Sequence, residues 1–79
     1  MSNRITLESM RADIARILHE DPADIADDDN LMDLGLDSMR TMTLASRWRD
    51  EGAAIEFSEM AFNATLKYWW SLVQASRQR

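Results

Sequence analysis

Apolar residues recur at helical spacing in the first part of the chain, which predicts a helix from a cap at Thr6 to about His19. Threonine suits a cap because its hydroxyl accepts a hydrogen bond from a backbone N–H of the first turn. Since the residue before a proline is biased away from the α region, Asp21-Pro22 is predicted to end this helix. At about 100° per residue, the inward stripe consists of Leu7, Met10, Ile14, Ile17 and Leu18, whereas Arg11, Ala12 and Arg16 lie outside it.

A long acidic loop, residues 21–37, follows this helix. A loop of this length is unusual in so small a chain and is generally functional. Asp37 is a strong N-cap residue, so a second helix is predicted from Ser38 to about Glu51, closed by Gly52. The apolar residues expected to attach the loop to the core are Ile25, Leu31, Leu34 and Leu36. The second helix should face inward with Met42, Leu44, Ala45 and Trp48 and outward with Arg40, Thr43, Arg47 and Asp50, with Met39 off the apolar stripe beside Ser38.

The last third of the chain predicts one short and one long helix. Alternation of Ile55 and Phe57 indicates an extended stretch, after which Ser58 caps a single turn over residues 59–62. Thr65 caps the last helix, and polar residues 75–79 should fray. In this helix Leu66, Trp69 and Val73 face inward, with Trp70 at the edge. The predicted fold is therefore all-α, with three long helices, one short helix and a long loop between the first two.

Composition and charge exclude several classes of function. The 79 residues are expected to form one domain, and the absence of cysteine excludes a disulfide framework, a thiolate nucleophile and a cysteine-type zinc site. A net charge of −5 argues against nucleic-acid binding, which depends on basic side chains. No stretch approaches the roughly 18 apolar residues of a membrane span, and residues 1–4 begin no apolar run, so a soluble cytoplasmic protein is expected.

Ser38 is the candidate for chemistry, because the run Asp33-Leu34-Gly35-Leu36-Asp37-Ser38-Met39 places it where a loop becomes a helix. Gly35 permits a tight backbone turn, and the positive end of the helix dipole favours a phosphate joined to Ser38. Neither a metal ligand nor a catalytic residue is predicted. The acidic run from Asp27 to Asn30 fails the EF-hand spacing, and the serine lacks both a nucleophile elbow and a nearby histidine.

The run G-L-D-S-M resembles the phosphopantetheine attachment site of acyl, peptidyl and aryl carrier proteins. Residues 34–70 resemble more closely the aryl carrier domains of enterobactin-type siderophore assembly lines, through G-L-D-S-M-R, L-A-S-R-W-R, I-E-F and the paired Trp69-Trp70. Fatty-acid carriers have a strongly acidic second helix, whereas this one carries Arg40, Arg47 and Arg49, which counts against a fatty-acid role.

The resemblance implies that residues 1–79 form a single four-helix carrier domain that holds cargo rather than catalysing a reaction. A phosphopantetheinyl transferase would attach phosphopantetheine from coenzyme A to Ser38, with Gly35 and Asp37 as parts of the attachment motif. An aryl-adenylating ligase would acylate the thiol, and a condensation domain of a nonribosomal peptide synthetase would receive the aryl thioester. The docking patch carried over by position is Met42, Phe57 and Ala61, with Met39 and Arg40 flanking the serine; a free-standing monomer, without nucleic acid or membrane as partner, is expected.

Two alternatives stay open from the sequence. A peptidyl or acyl carrier would use the same serine and the same fold for an amino acid or another acyl group, because nothing in the sequence identifies the cargo. A helical adaptor domain would need no modified serine at all. Loading by a panel of ligases distinguishes an aryl carrier from a peptidyl or acyl carrier. Intact mass after exposure to a phosphopantetheinyl transferase distinguishes any carrier from an unmodified adaptor domain.

Overall fold

Four α-helices make up the regular structure of this protein, for which a computed structural model describes residues 5–77. The helices are α1 (Leu7–Leu18), α2 (Ser38–Asp50), α3 (Phe57–Phe62) and α4 (Leu66–Arg77), with one 3₁₀ turn, Pro22–Asp24, inside the long loop. Helix α1 packs against α2 and α4, and the short α3 bridges α2 and α4. This is the predicted all-α bundle of three long helices and one short one.

Both ends of α1 are set by local sequence. Thr6 Oγ1 accepts a hydrogen bond from the Ser9 N–H at 3.0 Å, and Ser9 Oγ accepts one from the Thr6 N–H at 2.9 Å. The helix ends where predicted, at Leu18 with His19 as its C-cap, because His19 adopts a left-handed conformation with φ of 59° and the Glu20 N–H turns back to the Ala15 carbonyl. Asp21-Pro22 therefore does not end α1; it begins the 3₁₀ turn, with the Asp21 side chain as its cap.

The core is built around two tryptophans. The rings of Trp48 on α2 and Trp69 on α4 meet edge to face, with centroids 6.0 Å apart and planes at 66°. Large aromatic side chains supply the apolar area that a small domain needs. The other larger buried side chains come from every element and the loop: Ile5, Met10, Ile14, Leu18, Ile25, Leu31, Leu36, Leu44, Ile55, Met60, Leu66 and Val73.

Arg11 fixes the long loop to α1, although the apolar pattern placed it outside the inward stripe. Its side chain is only 13% exposed, and its guanidinium bonds the Glu8 and Asp27 carboxylates and the Ile25 carbonyl. The carboxylates of Glu8 and then Asp27 raise the pKa of the Arg11 guanidinium. Further along, the Leu31 N–H donates to the Ala64 carbonyl and the Lys67 N–H donates to the Asp27 carbonyl. The loop is thus an integral layer of the fold.

Two predicted core positions are wrong. Leu34 is exposed, so Ile25, Leu31 and Leu36 alone attach the loop to the core. Met42 is 53% exposed, and Thr41 is buried in its place because its hydroxyl donates to the Asp37 carbonyl at 2.8 Å.

The start of α3 also differs from the prediction. Phe57 is the first residue of the helix and is half-buried, rather than lying in an extended stretch. Glu56, not Ser58, occupies the N-cap position, and its N–H donates to the Glu59 carboxylate at 3.2 Å.

The last helix follows its prediction. Thr65 Oγ1 accepts a hydrogen bond from the Tyr68 N–H, and Leu66, Trp69 and Val73 are buried, with Trp70 half-buried at the edge. Of the residues expected to fray, 75–77 are helical, and 78–79 lie outside the described residues.

Candidate functional site

Ser38 is the first residue of α2 and is exposed. Asp37 is the N-cap, and its carboxylate accepts a hydrogen bond from the Arg40 N–H at 2.8 Å. No hydrogen bond between residues 5 and 77 engages the Ser38 hydroxyl. The predicted local geometry is therefore confirmed: the Ser38 hydroxyl lies free at the positive end of a capped helix.

The approach to Ser38 depends on Gly35 and Leu36. Gly35 has a φ of +111°, and its N–H donates to the Met32 carbonyl as the loop turns. The Leu36 N–H donates to the Leu31 carbonyl, and the Leu36 side chain is buried. The loop is thus anchored two residues before Ser38, which fixes where the serine emerges from the surface.

Two side chains next to Ser38 reach outward. Met39 is 77% exposed, as expected for a residue off the apolar stripe. The Arg40 guanidinium donates to the Gly35 carbonyl at 3.3 Å, so a positive charge lies over the end of the loop. Met39 and Met42 together line an open groove along the outer face of α2 with Thr43, Ser46, Arg47, Asp50 and Glu51.

The other positions of the predicted docking patch lie on α3. Ala61 is exposed, and Phe57 is half-buried. Met42 lies on the same side of α2 as Arg49, because seven residues are about two helical turns. Since the Arg49 guanidinium is 3.7 Å from the Glu56 carboxylate before α3, that side of α2 faces α3.

Phe62, at the end of α3, is the exposed aromatic residue that the sequence analysis missed. The residue is 83% exposed, and its ring centroid lies 6.2 Å from that of Tyr68. The pattern gave no signal for this exposure, because an apolar residue at a helix end is normally counted with the core.

Metal and membrane sites have no support in the described structure. Between residues 5 and 77, no group of three or more His, Cys, Asp or Glu side chains could hold a metal ion. Over the same range, every helix falls short of the length and apolar character that a membrane-spanning helix needs.

The chain belongs to the family defined by a phosphopantetheine attachment site, whose model matches residues 8–67. Members of this family are carrier domains that bear phosphopantetheine covalently and are not themselves catalytic. The resemblance to carrier proteins is therefore confirmed, and this protein is a phosphopantetheine carrier.

Individual relatives support the same assignment. The chain is 44% identical over 77 residues to isochorismatase of Bacillus subtilis, covering 98% of this chain and 25% of that protein. It is 39% identical over 71 residues to acyl carrier protein ScoB of Streptomyces coeruleorubidus, covering 90% of this chain and 84% of that protein. It is 53% identical over 47 residues to enterobactin synthase component B of Escherichia coli K12, covering 60% of this chain and 16% of that protein. No solved structure gives a significant match.

Proposed function

We propose that Ser38 bears the phosphopantetheine group and that the 79 residues act as one aryl carrier domain in nonribosomal peptide synthesis. The observation that carries the first part is the free, exposed hydroxyl of Ser38 at the first residue of α2, within the family match at residues 8–67. In the apo protein this hydroxyl is accessible to a transferase without any opening of the fold.

The surroundings of Ser38 fit the phosphate of the group. The first backbone N–H groups of an α-helix have no intrahelical acceptor and carry a partial positive charge. Asp37 caps the Arg40 N–H, which leaves the N–H groups of Ser38 and Met39 at the helix end. When attached, phosphopantetheine supplies a thiol for thioester chemistry, and this chain supplies attachment and recognition.

The aryl cargo is proposed from similarity. The relatives include enterobactin synthase component B and a phenyloxazoline synthase from Mycolicibacterium paratuberculosis, 42% identical over 71 residues. Trp48 and Trp69, which belong to the motifs that carry the resemblance, are fully buried and are not available to contact a cargo. These two shared tryptophans therefore support kinship with aryl carriers because they belong to a similar core, not because they form a cargo pocket.

Three partners are proposed from the same similarity: a phosphopantetheinyl transferase, an aryl-adenylating ligase and a condensation domain. A tether turns each transfer into an intramolecular encounter at an effective concentration of about mM. Because the domain visits several enzymes in turn, small and weak interfaces suit it. We propose that Met39, Arg40, Met42, Phe57 and Ala61 contact them, and that the protein works in the cytoplasm, where coenzyme A is available.

Intact mass tests the attachment. Incubation of the apo protein with coenzyme A and a broad-specificity phosphopantetheinyl transferase should add the mass of one phosphopantetheine. Ser38→Ala should add none and remain folded, because the side chain is exposed and alanine favours helix. A mass shift that persists in Ser38→Ala would refute the assignment.

A ligase panel tests the cargo. The holo protein should be loaded fastest by ligases that adenylate salicylate or 2,3-dihydroxybenzoate. Acyl carrier protein ScoB, of which this chain covers 84%, favours another acyl cargo as the second candidate. Faster loading by an amino-acid or other acyl ligase would replace the aryl assignment and leave the attachment at Ser38 intact.

A further inference from the structure

A buried carboxylate joins α1 to α2. Asp13 is only 8% exposed, and its Oδ2 accepts a hydrogen bond from Trp48 Nε1 at 2.9 Å. Arg16 Nη1 lies 3.1 Å from Asp13 Oδ1, and Arg47 Nε lies 3.3 Å from Asp13 Oδ2. One buried acid thus holds one arginine on each of the two helices.

The two guanidiniums keep unused donors. Arg16 Nη1 donates to Asp13 Oδ1, and Arg47 Nε lies near both Asp13 Oδ2 and Glu51 Oε2, the latter at 3.6 Å. Their side chains are 65% and 51% exposed. A guanidinium has five N–H donors, so most of these point to solvent from positions that Asp13 fixes.

Between the two arginines lies a cleft of about 230 Å³. Its lining combines the carboxylate and guanidinium groups with the side chains of Ile17, Thr43 and Leu44. Leu44 is buried and Ile17 is half-buried, so the cleft has an apolar floor under a cationic rim. An opening of this size accommodates one or two side chains of another protein.

Ser38 and Met42 lie on a different side of α2 from the cleft, whereas Arg40, seven residues before Arg47, lies on the side of the cleft. At about 100° per residue, Arg47 is about half a turn around the helix from Ser38. Arg47 reaches α1 through Asp13, whereas Arg49 reaches Glu56 before α3. A protein bound in the cleft would therefore leave Ser38 and Met42 accessible.

We propose that this cleft is a second recognition surface, which receives an aspartate or glutamate side chain, next to an aliphatic residue, of a partner enzyme. Charge complementarity selects this occupant: two arginines share one aspartate at the rim, and a carboxylate pairs with a guanidinium through two parallel hydrogen bonds. The proposal rests on the proposed function, because the partners are the enzymes that load and unload the carrier.

The test measures the affinity of the holo protein for an aryl-adenylating ligase that loads it and for the condensation domain that accepts the aryl group. The variant Arg16→Gln/Arg47→Gln removes both charges and keeps amide donors for Asp13. Its dissociation constant for at least one of the two enzymes should rise about tenfold at low ionic strength and clearly less at high ionic strength. Lys67→Ala removes an exposed positive charge on α4 and should leave both affinities unchanged.

Folding is checked separately by thermal melting. If the double variant unfolds, the affinities are measured with Arg47→Lys instead. Lysine keeps the charge but not the planar fork, so its affinity should lie between those of the parent and the double variant. Unchanged affinity for both enzymes in folded variants overturns the cleft proposal, as does an equal loss in Lys67→Ala. Failure of the proposed function would look different, because Ser38 would then gain no phosphopantetheine in the parent protein.

Discussion

Gly35 and Gly52 have nearly the same positive φ, 111° and 110°, but only Gly35 precedes Ser38. A Cβ at Gly35 would meet only Leu18 Cδ2, at 3.8 Å, which is an ordinary van der Waals contact. The need for glycine at position 35 therefore comes from the backbone conformation, not from crowding. This conformation brings Leu36 into the core and leaves Ser38 outside.

Gly35→Ala should destabilise the protein by about 1–3 kcal/mol, the cost of holding an alanine in a sparsely populated conformation. Because the strain is relieved by moving the loop, modification of Ser38 by the transferase should also slow. Gly52→Ala is the matched control, since it loses stability for the same reason but lies beyond the far end of α2. Urea unfolding and modification rates measure the two effects, and equal slowing in both variants would show that Gly35 has no special role at Ser38.

At the scale of the elements, the starts of α1, α2 and α4 were predictable, whereas the start of α3 and part of the inward faces were not. Thr6 and Asp37 cap α1 and α2 as predicted, because a cap depends on residues within one turn. Met42 was wrongly assigned to the core, and the burial of Thr41 went unpredicted, because a hydropathy pattern does not show that the Thr41 hydroxyl donates to the Asp37 carbonyl.

The buried carboxylate of Asp13 could not be predicted at all. Its indole partner, Trp48, lies 35 residues away in the sequence. The position of Ser38 was read from neighbouring residues, whereas the cleft beside Asp13 exists only after α1 and α2 have packed together.

Trp48→Phe should cost more stability than Trp69→Phe, although both remove one buried indole N–H. Trp48 donates to the Asp13 carboxylate, whereas Trp69 donates to the neutral Met60 carbonyl at 3.0 Å. A hydrogen bond to a charged group contributes about 1.5–3 kcal/mol, against about 1 kcal/mol for a neutral one. Chemical denaturation of the two variants measures the difference, and equal losses would mean that Asp13 adds nothing beyond packing.

Arg11→Met should loosen the long loop while leaving the helices formed. We expect a loss of about 1–2 kcal/mol, because the Arg11 bonds to Glu8 and Asp27 are partly solvent-screened. Amide hydrogen exchange should accelerate at Leu31 and Lys67, whose N–H groups link the loop to the rest of the fold. Arg49→Met removes an exposed ion pair and should change neither quantity, so a similar effect there would show that Arg11 is not a specific clamp.

For the whole molecule, folding and the encounters at Ser38 use different surfaces. The core tryptophans, the Asp13 contacts and the Arg11 contacts hold the bundle together, whereas Ser38, Met39 and Ala61 are exposed. Substitutions on the exposed set should therefore affect encounters with enzymes without affecting stability.

Ala61→Glu should keep its helical circular dichroism and still accept phosphopantetheine at Ser38. It should fail at aryl loading or condensation through a higher apparent KM, because the new carboxylate must lose water on docking. Ala54→Glu makes the same change at an exposed alanine outside the proposed patch and should behave like the parent.

Arg40→Glu should weaken association with the partner enzymes more at low salt than at high salt. Parental transfer kinetics in both Ala61→Glu and Arg40→Glu would place docking elsewhere.

The edge-to-face contact of Trp48 and Trp69 also gives the protein a built-in optical probe. Two indoles 6.0 Å apart couple their electronic transitions, and the coupling is lost when α2 and α4 separate. Because both rings are fully buried, this circular dichroism signal should be insensitive to the group attached at the surface. The apo, holo and loaded forms can therefore be compared for unfolding by this circular dichroism signal, without a label that would compete for the docking surface.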